Sequence, residues 1–239
     1  MKQIGRRTFL RGVGLSGLGL TVAGCGAQAT AMTVTPATTA TPVAEGPVGS
    51  PDEALQRLID GNKRFVSGQL RHPNLSSARL TEVAQGQKPF AAILGCADSR
   101  VPPELIFDCG LGDIFVVRSA GNIADPIAIG SLEFGVAVLG ASVLVVLGHE
   151  RCGAVAETVK GTKAPGSIKD VINAIKPGVK DVADQGGDAV ENGVVANARY
   201  QMQILLSKSS ILSDAVKAGK LKVVAGRYDL DKGEMTLIS

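Results

Sequence analysis

Phe90-Ala91-Ala92-Ile93-Leu94-Gly95-Cys96-Ala97-Asp98-Ser99-Arg100 is the stretch on which the fold of this chain turns. Its first six residues are a short apolar run after Pro89, closed by a glycine. That is the pattern of a strand buried on both faces of a parallel sheet. Asp113 to Arg118 and Ser142 to Leu147 repeat it. Pro126 to Leu139, apolar on most faces, is long enough to form a helix covering such a sheet. Lys222 to Tyr228 and Glu234 to Ile238 read as two late strands joined by a turn at Asp231-Lys232-Gly233. Ser50-Pro51-Asp52-Glu53 carries an N-cap serine, a proline at the first helical position and a capping-box glutamate, so a helix is expected to run to about Phe65. Asn197 to Leu206 and Ile211 to Lys217 are also expected to be helical. Strands alternating with helices predict a single α/β domain with a mainly parallel central sheet flanked by helices.

The same stretch carries chemistry. Cys96 and Asp98 fall just past the end of one predicted strand, and His149-Glu150-Arg151-Cys152 just past the end of another. Open α/β sheets bind ligands in crevices beyond the carboxyl ends of their strands. Residues distant in sequence can therefore meet there. Two thiolates, one imidazole and a carboxylate form a set that Zn²⁺ prefers. Two other readings of Cys96 and Cys152 stand beside it: buried small apolar residues, or a disulfide.

The chain has 239 residues, 45% apolar and 3% aromatic, with no tryptophan. Its core is therefore expected to be aliphatic. The formal charge of +3 is misleading, because four of the 25 basic residues (Lys2, Arg6, Arg7, Arg11) lie in the first 24 positions, which hold no acid. The remainder has 21 basic against 22 acidic residues. That balance leaves neither a nucleic-acid footprint nor a polybasic membrane patch.

Residues 1–24 read as a twin-arginine signal peptide: Gly5-Arg6-Arg7-Thr8-Phe9-Leu10-Arg11, then an apolar run from Gly12 to Gly24. Thirteen residues span only about 20 Å as a helix, short of a ~30 Å hydrocarbon core. The run ends in Val22-Ala23-Gly24-Cys25, similar to a bacterial lipobox, which makes Cys25 the expected lipidation site. Residues 25–49, rich in Ala, Thr and Pro, are read as a flexible tether. Residues 50–239 form the folded domain. The protein is thus expected to be exported to the cell envelope, the periplasm or the outer face of the cytoplasmic membrane, and to meet membrane only through a lipid anchor. Twin-arginine export carries folded proteins, so a metal loaded in the reducing cytosol would travel with the domain.

Cys96-Ala97-Asp98-Ser99-Arg100 together with Gly148-His149-Glu150-Arg151-Cys152-Gly153 resembles the signature pair of the β-class carbonic anhydrases. Leu58 to Phe65 and Phe115 to Ile123 are similar to further family segments, as are Val194 to Arg199 and Gly226 to Asp229 at lower likeness. The resemblance covers roughly residues 50 to 238. It implies Zn²⁺ held by Cys96, His149 and Cys152, with Asp98 as a fourth ligand in a closed state. It also implies reversible hydration of carbon dioxide to bicarbonate and a proton by attack of zinc-bound hydroxide.

In the active state Arg100 would pair with Asp98 and keep it off the metal as a catalytic group. Gln87 and the backbone N–H of Gly153 would bind substrate, and Phe90, Val101 or residues of a partner subunit would wall an apolar pocket. Ser99 would fix the turn. Cys109 is expected to be a buried apolar residue and His72 an exposed loop residue. The family implies a homodimer or higher even oligomer. Two alternatives remain: a hydrolase of COS or CS₂ on the same fold, and a non-catalytic zinc-stabilised surface protein. Intact Asp98 and Arg100 speak against the second, because a structural zinc needs neither.

Overall fold

A computed structural model of the chain describes residues 48–238. The twin-arginine segment, Cys25 and almost all of the tether lie outside the described residues. The element order is α1 (Pro51–Val66), α2 (Ser77–Val83), β1 (Ala91–Cys96), α3 (Pro103–Ile106), β2 (Ile114–Ser119), α4 (Pro126–Ala137) and β3 (Val143–His149). It continues with α5 (Gly153–Val159), α6 (Ile168–Ile175), α7 (Ala189–Lys208), α8 (Ser210–Lys217), β4 (Lys222–Tyr228) and β5 (Met235–Ile238). No helix among the described residues is long and apolar enough to cross a membrane.

The five strands form one sheet in the order β2-β1-β3-β4-β5. The first four are parallel, and β5 returns antiparallel to β4 through the expected hairpin. The apolar runs of β1 and β3 are continuous because both of their faces are covered. Ile93, Val143, Val145 and Leu147 pack with α1 and α3 through Ala54, Leu58, Ile106 and Phe107. Ala92, Leu94, Leu144 and Val146 pack with α4, α7 and α8 through Leu132, Leu205 and Leu212.

From β1 the chain crosses to β2 on one side, whereas β3 leads to β4 on the other. The order therefore reverses between β1 and β3, which opens a crevice at their carboxyl ends.

The α1 N-terminus forms as expected, with Ser50 Oγ accepting the Glu53 N–H at 3.2 Å. Glu53 reaches back to the N–H of Gly49 instead of that of Ser50. Lower on α1, Gly61 admits the backbone of Phe107: a Cβ there would lie 1.9 Å from Phe107 O. Asn62 uses that close approach, donating to Ile106 O and Gly233 O and accepting the Met235 N–H at 2.7 Å.

Four helices (α2, α3, α5 and α6) are not delimited by the sequence pattern, and α7 is twice the expected length. Its added turns begin at Asp188, whose Oδ1 accepts the N–H groups of Val190 and Glu191. The Glu191-Asn192-Gly193 sequence hides that start, because Gly193 has no side chain and sits closely against Val155 and Val159.

Asp108 links α1 to the loop before α2. Its side chain is 1% exposed and accepts Arg64 Nε at 2.6 Å, with the backbone N–H groups of Arg71 and His72 at 3.0 Å. Burial works to raise its pKa, but these three donors outweigh burial and hold it below the usual carboxylate value. Asp108→Asn is expected to cost about 2 kcal/mol at neutral pH, measured by urea unfolding. A depressed native pKa stabilises the fold above about pH 4 and ceases to do so as the pH falls through that native value. The gap between wild type and variant should therefore close in acid; a constant gap down to about pH 2 would count against this role of the charge.

Candidate active site

β1 ends on Cys96 and β3 ends on His149, one residue further along, so parallel pairing of these two strands brings both residues to the crevice. A tight turn through Arg151, at φ +52, then reverses the chain and places Cys152 as the residue preceding α5. One ligand atom each from Cys96, His149 and Cys152 lies within 4.8 Å of the others, and all three residues are buried. Cys96, Cys109 and Cys152 are free thiols, so the disulfide alternative is not realised.

His149 Nδ1 lies 3.0 Å from Glu150 O, a contact that requires the ring proton on Nδ1. Nε2 is then an acceptor, and it is buried without a hydrogen-bond partner. A buried unpaired acceptor costs about 1–3 kcal/mol. Among two thiols, its lone pair fits a metal ion. Burial lowers the His149 pKa, and the neighbouring Cys96 sulfur outweighs it and raises the value. The contact with Cys152 draws the Cys96 thiol far below its ordinary value, while Cys152 is pushed up by Cys96.

Asp98 follows Cys96 on a turn that it builds itself. Its Oδ1 accepts the Arg100 N–H and Nε, both at 2.9 Å, and its Oδ2 accepts Arg100 Nη2 at 2.7 Å. Ser99 is not what fixes the turn. The Arg100 guanidinium holds the Asp98 carboxyl well below the usual carboxylate range. Oδ2 stands 3.8 Å from His149 Nε2. The structure therefore shows Asp98 in its Arg100-paired arrangement, next to the donor set and outside it. Arg118, on β2, supports the turn from beneath by donating to Cys96 O at 2.8 Å and Asp98 O at 2.6 Å.

A family model described as carbonic anhydrase matches residues 91–235. The chain belongs to the carbonic anhydrase family. It is 41% identical over 195 residues to carbonic anhydrase 2 of Mycobacterium tuberculosis, covering 80% of this chain and 94% of that protein. Among solved structures it is similar to a tetrameric β-carbonic anhydrase of Sordaria macrospora (TM-score 0.63, 25% identity, 67% of this chain and 85% of that one). It is also similar to the Coccomyxa β-carbonic anhydrase in complex with acetazolamide (TM-score 0.61, 27% identity, 77% and 86%). The expected fold and enzyme class therefore hold, and this is a carbonic anhydrase of the β class.

The remaining expectations divide. Gly153 begins α5 beside Cys152, with open space where a Cβ would be. Gln87 does not join the site within one chain. It precedes β1 and lines a cleft with Gln85, Lys88 and Phe90 at the amino edge of the sheet. The five steps of β1 from Ala91 to Cys96 alone span about 17 Å. Phe90 is displaced for the same reason and lies under the Arg57 guanidinium, 4.3 Å from it, so it does not wall the crevice of its own chain. Val101, just past the Asp98 turn, is buried in the core. His72 is an exposed loop residue as expected, whereas Cys109 is only half-buried, its Sγ meeting Phe107 O at 3.4 Å.

Pattern reading assigned no role to Arg118, Glu150 or Gly121. Arg118 had a visible signal, as a cation ending an otherwise apolar strand. Glu150 acts on His149 through its backbone carbonyl, which leaves no mark on residue type, and Gly121 through its backbone N–H. Glu150, Asp229 and Asp231 also cluster, but Arg151 and Arg227 pair with them, and Leu230, Asp231 and Lys232 supply backbone donors.

Supplying a thiophilic divalent metal at about 1,000 times its Kd is expected to stabilise the protein by about 4 kcal/mol, read by thermal denaturation against a chelated control. Cys152→Ser should lose most of that gain. Equal melting of the wild type with and without metal would rule out the assignment of the three donors.

Proposed function

We propose that Cys96, His149 and Cys152 hold Zn²⁺ and that the site performs the reversible hydration of carbon dioxide on it. The observation that carries this reading is the meeting of three buried donors beside a carboxylate locked by its own arginine. Bound there, Zn²⁺ would act as a Lewis acid that brings the pKa of a coordinated water from about 15.7 towards ~7.

The protein's own groups do the rest. Glu150 O keeps the proton on His149 Nδ1, which leaves Nε2 free to donate its lone pair. Arg100 keeps Asp98 ionised and turned away from the ligand position, so that its Oδ2 can accept a hydrogen bond from the attacking water and orient it. Arg118 fixes the backbone on which that carboxylate stands. A purely structural metal would need no such carboxylate and arginine pair.

Asp98→Ala should lower kcat/KM for CO₂ hydration by about 10²–10⁴-fold while leaving metal content unchanged. Assaying COS hydrolysis alongside separates the two chemistries. Metal-loaded wild type that turned over COS but not CO₂ would reject the proposed substrate, and full activity in Asp98→Ala would reject the role of the carboxylate.

The proposal extends to assembly and address. β2 is a sheet edge, and near it Ile127, Phe134 and Val138 are exposed, which supports a homo-oligomer. The similar Sordaria macrospora enzyme is tetrameric. Gln87 could reach substrate only from a second copy. The twin-arginine segment and the cysteine after Ala23-Gly24 support export and lipid anchoring at Cys25. Cys25→Ser should move the exported protein from the membrane to the soluble fraction on cell fractionation, and an unchanged membrane-bound share would refute the anchor.

A further inference from the structure

A chain of buried hydrogen bonds that ends on the Cys96 sulfur begins on α7, remote in sequence from every donor to the metal. Asn197 is completely buried and donates from Nδ2 to Gly121 O at 2.9 Å. Gly121 in turn donates its N–H to Cys96 Sγ at 3.3 Å. One helical turn beyond Asn197, Gln201 donates from Nε2 to Asn197 Oδ1 at 3.1 Å and to Ala174 O at 3.2 Å. Its Oε1 accepts the Ala124 N–H at 2.9 Å.

Two amides on one face of α7 therefore hold both ends of the 121–124 segment. Ser119 Oγ holds its middle, accepting the Ile123 N–H at 2.9 Å.

Gly121 is the only residue type that suits its place. Its φ is +74, and a Cβ would stand 2.5 Å from Ile175 Cδ1. Without a side chain the peptide packs closely enough for its N–H to meet the sulfur. Buried amide side chains are costly unless fully paired, and here the pairing is spent on a loop whose free end faces the metal site. The chemistry gives this a purpose. Two thiolates pass more negative charge to a metal than imidazoles do, which works against an acidic bound water. An N–H bond to one sulfur takes part of that charge back.

We infer that Asn197 is a positioning residue of the metal site: it holds Gly121 so that a backbone N–H stays on Cys96, limiting the charge this sulfur donates. The inference rests on the metal-binding reading proposed above. Asn197 touches neither substrate nor metal and acts only through Gly121.

Cobalt-substituted protein tests it, because sulfur-to-cobalt charge-transfer bands report the charge on the thiolates. Asn197→Ala should shift these bands to lower energy and lower CO₂ hydration about tenfold. Leu212→Ala, on α8 in a core cluster separate from the one that holds Cys96 and Cys152, should lower thermal stability without moving the bands. Unmoved bands in folded Asn197→Ala would overturn the inference.

A measurement on the unaltered protein covers the case in which that variant does not fold. With NMR-active cadmium at the site, scalar coupling from the metal to the Gly121 amide proton is expected, and its absence would overturn the inference as well. A wild type that takes up cobalt without thiolate bands would overturn the metal reading itself, a failure distinct from these two.

Discussion

The parallel pairing of β1 with β3 is the constraint on which the rest of the molecule depends. In register, Gly95 lies beside Leu147, so the strands finish within one residue of each other and their last residues, Cys96 and His149, emerge at one edge. Both strands are apolar throughout and covered on both faces, so a shift in register would cost buried contacts on each side. The hydrophobic effect thus sets the distance between two metal donors without any polar group taking part. The reversal of strand order at this point then keeps the crevice open, because the connections leave it in opposite directions.

Around this fixed pair, backbone atoms do much of the fine positioning. Glu150 O sets the tautomer of His149, Gly121 N–H lies on Cys96, and the carbonyls of Cys96 and Asp98 are held by Arg118. Backbone groups carried on a packed core cannot rotate away as side chains can, which keeps the site preorganised. Asp98 stands beside this donor set and is held by Arg100.

Much of the fold could be read in advance because its strands are short, uninterrupted apolar runs bounded by proline or glycine. All five were found within one or two residues of their observed ends. The helices were harder. α2 has no buried residue and α5 only seven residues, so neither shows an apolar period. The start of α7 was hidden by Gly193, whose value is the absence of a side chain. The metal donors and the Asp98–Arg100 pair were legible because their chemistry is tied to residue type. Gln87 and Phe90 lie at the other end of β1 within one chain, a placement that residue type does not record.

The sequence alone determined the donor set, since only cysteine and histidine offer those ligand atoms, and it determined the parallel α/β class through the uninterrupted apolar runs. It also holds the twin-arginine and lipobox-like segment, which lies outside the described residues. The tertiary structure decided that the donors converge, that Asp98 is held by Arg100, and that Asn197 reaches Cys96 through Gly121. The physical reason is that residue type records what a group can bind, whereas burial, register and backbone direction decide what it meets.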